Sequence, residues 1–156
     1  MRIYECPFGP TAETVAVDIV ELTPADDKPI LVLRCTLEQT TEVGDAQEEF
    51  IGVSWVRGNT TSGSGGVAAA APNTRNPSDA AAGFTFEALN TTQATVGTTK
   101  TLGQRAWSVR GGLDYVLLPE ERIEATQGNT LMCWRLGSAP ADSITMTGNV
   151  VVGESG

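Results

Sequence analysis

Apolar residues recur along this chain with a period of two, not 3.6. Val15, Val17 and Ile19 alternate with Ala16 and Asp18, and Phe84, Phe86 and Ala88 alternate with Thr85, Glu87 and Leu89. Leu131, Cys133 and Arg135 oppose Met132, Trp134 and Leu136, and Ile144, Met146, Gly148, Val150 and Val152 hold one phase almost to the end. Phe50, Val53 and Trp55 form a further strand-like run in which Gly52 suits a bulge. Trp107 and Val109 are expected to pair with Leu113, Tyr115 and Leu117 across Gly111-Gly112. Alternation of this kind puts one face of each strand in a core and the other toward water. No stretch of ten or more residues carries a helical stripe.

Turn signals separate the runs. They are Gly9-Pro10, Pro24–Pro29, Gly58-Asn59, Gly128-Asn129 and Ala139-Pro140. Eight or nine short strands at this spacing predict a single all-β domain over 1–156. The expected form is an antiparallel β-sandwich, jelly-roll-like, with about eight strands and one long loop. Glu42–Glu49 is acidic and turn-like. The stretch 59–83 has no periodicity and is rich in Gly, Ala, Ser and Asn, which predicts a long loop or an arm reaching a neighbouring subunit. Within it, Ser78 before Asp79–Ala82 and Gly83 suits one capped helical turn.

Composition narrows the function. The 156 residues include no histidine, which removes Ser-His-Asp and Cys-His catalysis, His-ligated zinc and an imidazole pH switch. Ten Lys+Arg against nineteen Asp+Glu give a net charge of −9, against the clustered cations that phosphate backbones require. No apolar run is long enough to span a bilayer, and the first residues show no secretory h-region. The expectation is a protein made in a cytoplasm that binds neither nucleic acid nor membrane.

The remaining chemistry is sparse. Gly63-Ser64-Gly65-Gly66 follows a strand, but Pro72 stops any helix after it and no βαβ unit surrounds it, so a phosphate cradle is not expected. Asp26-Asp27, Glu48-Glu49 and Glu120-Glu121 are adjacent carboxylates, which on a strand point to opposite faces and make no dyad. The turns at Asp26-Asp27 and Glu42–Asp45 are places where a hard cation could sit, although neither is a 12-residue calcium loop. Cys6, Cys35 and Cys133 lack metal or redox spacing and read as small buried hydrophobes. Asn59-Thr60-Thr61 and Asn90-Thr91-Thr92 fit the glycosylation pattern but are explained as turns leading into strands. Lys28 and Lys100 lack a serine-lysine context. Trp55, Trp107 and Trp134 are expected in the core; an exposed cluster of them would instead suggest sugar binding. No catalytic residue, metal ligand or cofactor is assigned.

Seven stretches stand in a characteristic order: PADDKP (Pro24–Pro29), EVGDAQEE (Glu42–Glu49), RGNTTSGSGG (Arg57–Gly66), NPSDAAAGF (Asn76–Phe84), NTT (Asn90–Thr92), LPEER (Leu118–Arg122) and APAD (Ala139–Asp142). Together they resemble a family of small virion structural proteins encoded by tailed bacteriophages. The resemblance runs over roughly 15–152 and is weakest at 1–10. It implies a non-enzymatic head decoration or cement protein, a homotrimer, that binds the major capsid protein lattice on the virion surface. The alternative is a host-receptor or glycan-binding module of a tail or head fibre. Arg34, Arg57, Arg75, Arg105, Arg110, Arg122 and Arg135 outnumber the two lysines and are suited to protein contacts. The candidate interface residues are Arg57, Asn59, Thr60, Thr61, Gly63, Gly65, Gly66, Arg75, Asn76, Arg110 and Arg122.

Overall fold

The period-two runs become strands in two facing antiparallel sheets. The computed structural model describes residues 1–40, 48–126 and 131–156. In chain order the strands are β1 (Arg2–Glu13), β2 (Asp18–Thr23), β3 (Ile30–Gln39), β4 (Phe50–Thr61), β5 (Val67–Ala70) and β6 (Asn73–Thr74). They continue with β7 (Thr85–Asn90), β8 (Thr95–Ser108), β9 (Leu113–Val116), β10 (Glu124–Ala125), β11 (Leu131–Leu136) and β12 (Ile144–Glu154). A 3-10 turn, Pro119–Glu121, precedes β10. One sheet runs β10-β3-β12-β1-β6 with β9 also on β3, and the other runs β5-β7-β2-β11-β4-β8. The expected all-β sandwich is what forms.

One apolar cluster joins the inner faces of both sheets. Tyr4, Cys6, Cys35, Leu37, Val150 and Val152 enter from the first, and Leu22, Val53, Trp55, Phe86, Met132 and Trp134 from the second. Trp55 and Trp134 are directly opposed across β4 and β11 and stack with centroids 5.9 Å apart. Trp107 is buried too, its indole N–H donating to the Gly111 carbonyl at 2.9 Å. The core expectation for the three tryptophans holds, and no exposed tryptophan platform exists.

Four departures from the sequence reading have physical reasons. First, the N-terminal stretch is a twelve-residue strand paired to β12 on one side and β6 on the other. Tyr4, Cys6 and Phe8 point inward in period two, a short alternation cut off by Gly9-Pro10. Second, Gly111-Gly112 does not close a hairpin, because β8 and β9 lie in different sheets. The chain turns there, Gly111 N–H to Ser108 carbonyl at 3.0 Å, and crosses the sandwich edge.

Third, the segment 59–83 is not a free arm. Its beginning completes β4, β5 pairs with β7 at one edge of the second sheet, and β6 pairs with β1 in the first. The segment thereby ties both sheets together along one side. Its side chains are small and mostly exposed, so backbone pairing leaves no apolar alternation to read. Fourth, 78–83 forms turns and no helical turn; the Asn76 side-chain oxygen accepts from the Ser78 N–H at 3.0 Å, which favours an Asx turn over a helix cap. The expected turns at Glu42–Asp45 and Gly128-Asn129 lie outside the described residues.

Candidate interaction surface

The outer face of the second sheet carries a polar knot that the sequence did not announce. Cys133 opposes both Val56 and Glu21 across its neighbouring strands, so these side chains share the face away from the Trp55–Trp134 stack. The Asp18 carboxylate takes two guanidinium bonds from Arg135, at 2.6 and 3.0 Å, and the Ala94 N–H at 2.7 Å. Glu21 accepts from the Ser62 hydroxyl at 2.7 Å and the Gly63 N–H at 2.9 Å. Val56, Ala94, Leu131 and Cys133 form a small apolar cluster beside them.

These bonds require the far ends of β4 and β8 to bend. Ser62 and Ala94 flank the tip of that ribbon, yet they contact β2, two strands away across β11. The bend occurs at the second of two slips in the β4–β8 register, between Arg57 and Asn59, the first lying between Trp55 and Val56. Gly58 and Gly97 adopt left-handed φ angles of +98° and +83° there, and each passes so close to the opposite backbone that a Cβ would strike a carbonyl oxygen. The buried Asn59 holds the bend by donating to the Thr99 hydroxyl at 2.9 Å and the Val96 carbonyl at 3.3 Å.

Asp18, Glu21 and Cys133 bring ligand-type atoms within 4.8 Å of one another. The carboxylate oxygens of Asp18 and Glu21 are already engaged by protein donors, and burial pushes the Cys133 thiol well above its ordinary range. The trio is a structural clasp. Burial likewise raises Cys6, and Cys35 is pushed up to about 12, so the three cysteines are protonated and inert near neutrality. Asp26 and Asp27 sit exposed on a two-residue turn bridged by Ala25 and Lys28, and no third ligand joins them among the described residues.

The sequence-derived interface residues fall in several places. Arg57, Thr60 and Thr61 are exposed on β4, whereas Asn59 serves the bend. Gly63, Gly65 and Gly66 lie against the β7 end, where Ser64 and Thr92 exchange backbone bonds. Arg75 is ion-paired with Glu5 beside β6 on the opposite sheet, next to Asn76 in its turn. Arg110 is exposed just past β8 and has partners of its own. Arg122 follows the 3-10 turn with its Nε buried and without an acceptor among the described residues. The eleven residues therefore do not form one patch.

A different grouping does. β4 and β8 carry Arg57, Lys100 and Arg105 and not one acidic residue, while the rest of the chain holds seven cations against nineteen acids, or −12. Arg57 and Lys100 are directly opposed across the ladder, a like-charge pairing that costs stability in a free sheet. Arg57 makes one long bond, 3.4 Å, to the Glu124 carbonyl. Lys100 is exposed and has no ion-pair partner among the described residues. Arg105 lies over the Tyr115 ring at 3.7 Å, closing the gap between β8 and β9 while staying exposed. Lys100 and Arg105 could have been found by noting the absence of acids over 50–61 and 95–108.

No protein-family model, curated protein or solved structure matches this chain.

Proposed function

We propose that this protein is a non-catalytic adhesion module, a decoration protein that binds the major capsid protein lattice of a tailed bacteriophage as a homotrimer. The observation that carries the proposal is the cationic β4–β8 ribbon on a molecule of net charge −9. The carboxylates and thiols that the fold gathers are spent on the clasp that bends this ribbon. What the ribbon leaves exposed to solvent is Arg57, Lys100 and Arg105, a set suited to steering and holding an acidic protein surface. The order of the seven sequence stretches supplies the capsid as the partner, with attachment at the virion surface after assembly in the host cytoplasm. Binding at a three-fold lattice position would stabilise the shell by mass action, since it favours the assembled state alone.

Purified protein mixed with undecorated mature capsids should bind saturably at defined lattice positions. Recovery in tail fractions, with no binding to heads, would overturn the proposal. Light scattering should give three times the 16.4 kDa chain mass at working concentration; a monomer at every concentration would remove the trimer.

A further inference from the structure

The edges of this sandwich are unequal. In the first sheet the outermost strands are β6, β9 and β10, of two, four and two residues. In the second sheet one edge is β5, of four residues, and the other is β8, of fourteen. Folded proteins usually shorten, bulge or cover their edges, because a long edge offers unpaired N–H and C=O groups to any passing strand. Three of the four outer margins follow that rule. β8 follows it only in its N-terminal half, where the ladder with β4 slips twice; the strand is long, ten of its fourteen residues are exposed, only Trp107 is buried, and among the described residues β4 is its one partner strand.

Its two halves differ. The N-terminal half is bent by the Gly58 and Gly97 crossing and drawn over the outer face. The C-terminal half is regular, with Gly103–Ser108 paired residue for residue to Phe50–Trp55 without a slip. This straight lane is six residues long, about 20 Å of extended chain. Gly103, Arg105 and Trp107 oppose the buried Trp55, Val53 and Ile51 and so belong to the inner face, which leaves Gln104 and Ala106 outward. Lys100 stands just beyond the lane and Arg105 within it, with no acid along the whole strand.

From these features we infer that the β8 edge is a strand-docking site, and that its occupant is an extended polypeptide segment bearing aspartate or glutamate. Backbone pairing along Gly103–Ser108 would supply register, and Lys100 and Arg105 would select acidic side chains on the added strand. Three cations are too few to hold a phosphate backbone against −12 elsewhere, which favours an acidic peptide over a nucleic acid. The inference rests on the proposal that the molecule works by adhesion, but it does not need the partner to be a capsid.

The test uses the full-length protein and a blocked ten-residue peptide that alternates valine or threonine with glutamate. Controls are the same peptide with lysine for glutamate, the acidic peptide with two central prolines, and a short DNA duplex. The acidic peptide should bind saturably, more weakly as salt rises, and should slow hydrogen exchange of outward-facing amides within Gly103–Ser108 by about ten-fold or more. Lys100→Glu, which breaks no side-chain bond among the described residues, should weaken binding about five-fold at low salt. Equal binding by the lysine or proline peptide, displacement by the duplex, or unchanged exchange at Gly103–Ser108 would overturn the inference. So would protection of those amides that grows with protein concentration alone, because a second copy would then occupy the edge. Peptide binding without capsid binding refutes the capsid partner and keeps the docking edge; capsid binding without peptide binding does the reverse.

Discussion

Replacing Asp18 by alanine should be among the most damaging single changes to this fold, out of proportion to the side chain's size. The Asp18 side chain is fully buried, and Arg135 beside it is only 17% exposed. The substitution strands a guanidinium that had two carboxylate bonds and leaves the Ala94 N–H without its acceptor. Removing one partner of a buried ion pair costs about 3–5 kcal/mol, most of it the desolvated charge left behind. For a domain of this size each kcal/mol shifts the thermal midpoint by roughly 2–4 °C, so a loss of about 6–20 °C is expected. Urea unfolding followed by tryptophan fluorescence gives the free energy directly, because all three tryptophans are in the core.

The internal control is Asp114→Ala, which breaks a pair with Arg34 of similar geometry but with both side chains about half exposed. That variant should unfold at the wild-type midpoint within error, since solvent screens such pairs. A cycle with Arg135→Met should recover much of the Asp18→Ala loss, because the orphaned charge is gone. If Asp18→Ala lost less than about 1 kcal/mol, or matched Asp114→Ala, the clasp would not be what holds the ribbon tip on β2.

Further expectations concern other parts of the fold. Excising Gly63–Ala71 should destabilise the domain strongly, because that stretch supplies both the Gly63 N–H that donates to Glu21 and strand β5; a wild-type midpoint would restore the free-arm picture. Trp55→Ala should cost about 3–5 kcal/mol by opening a cavity against Trp134, read out by urea unfolding and by loss of near-ultraviolet circular dichroism. Cys6, Cys35 and Cys133 should resist an aromatic disulfide reagent at pH 8 and all react in denaturant. Glu13 is buried with its carboxyl raised by desolvation, so the native state holds its proton more tightly than the unfolded chain and loses stability as pH rises from about 4.5 through the native value. Glu13→Gln should therefore gain on the order of 1 kcal/mol at pH 7 and lose that advantage near pH 4, by urea unfolding at each pH.

The sheet-forming runs were legible where burial on one face enforces alternation, as at the starts of β7 and β12, and β11, buried on both faces, was legible as a nearly continuous apolar run. β8 was legible only at Trp107, since an exposed edge strand places no apolar demand on either face. β5 escaped for a related reason, its Val-Ala-Ala-Ala being held by backbone bonds to β7. The Gly111-Gly112 turn could be seen, but which sheet each flanking strand joins depends on long-range pairing that local pattern does not encode. Of the candidate surface, Arg57 was named from sequence, whereas Lys100 and Arg105 became its neighbours only through the β4–β8 register. Arg75 and Asn76 shared a segment with Arg57 yet fold against the opposite sheet.

The most direct measurement is a cryo-electron microscopy reconstruction of undecorated mature capsids saturated with the purified protein, paired with the same sample made with Lys100→Glu. Density should appear at a fixed class of lattice positions, oriented with the β4–β8 ribbon toward the capsid subunits, and occupancy should fall in the variant. Heads that stay bare, or bound molecules that turn this ribbon to solvent and tolerate the substitution, would contradict adhesion through the cationic edge.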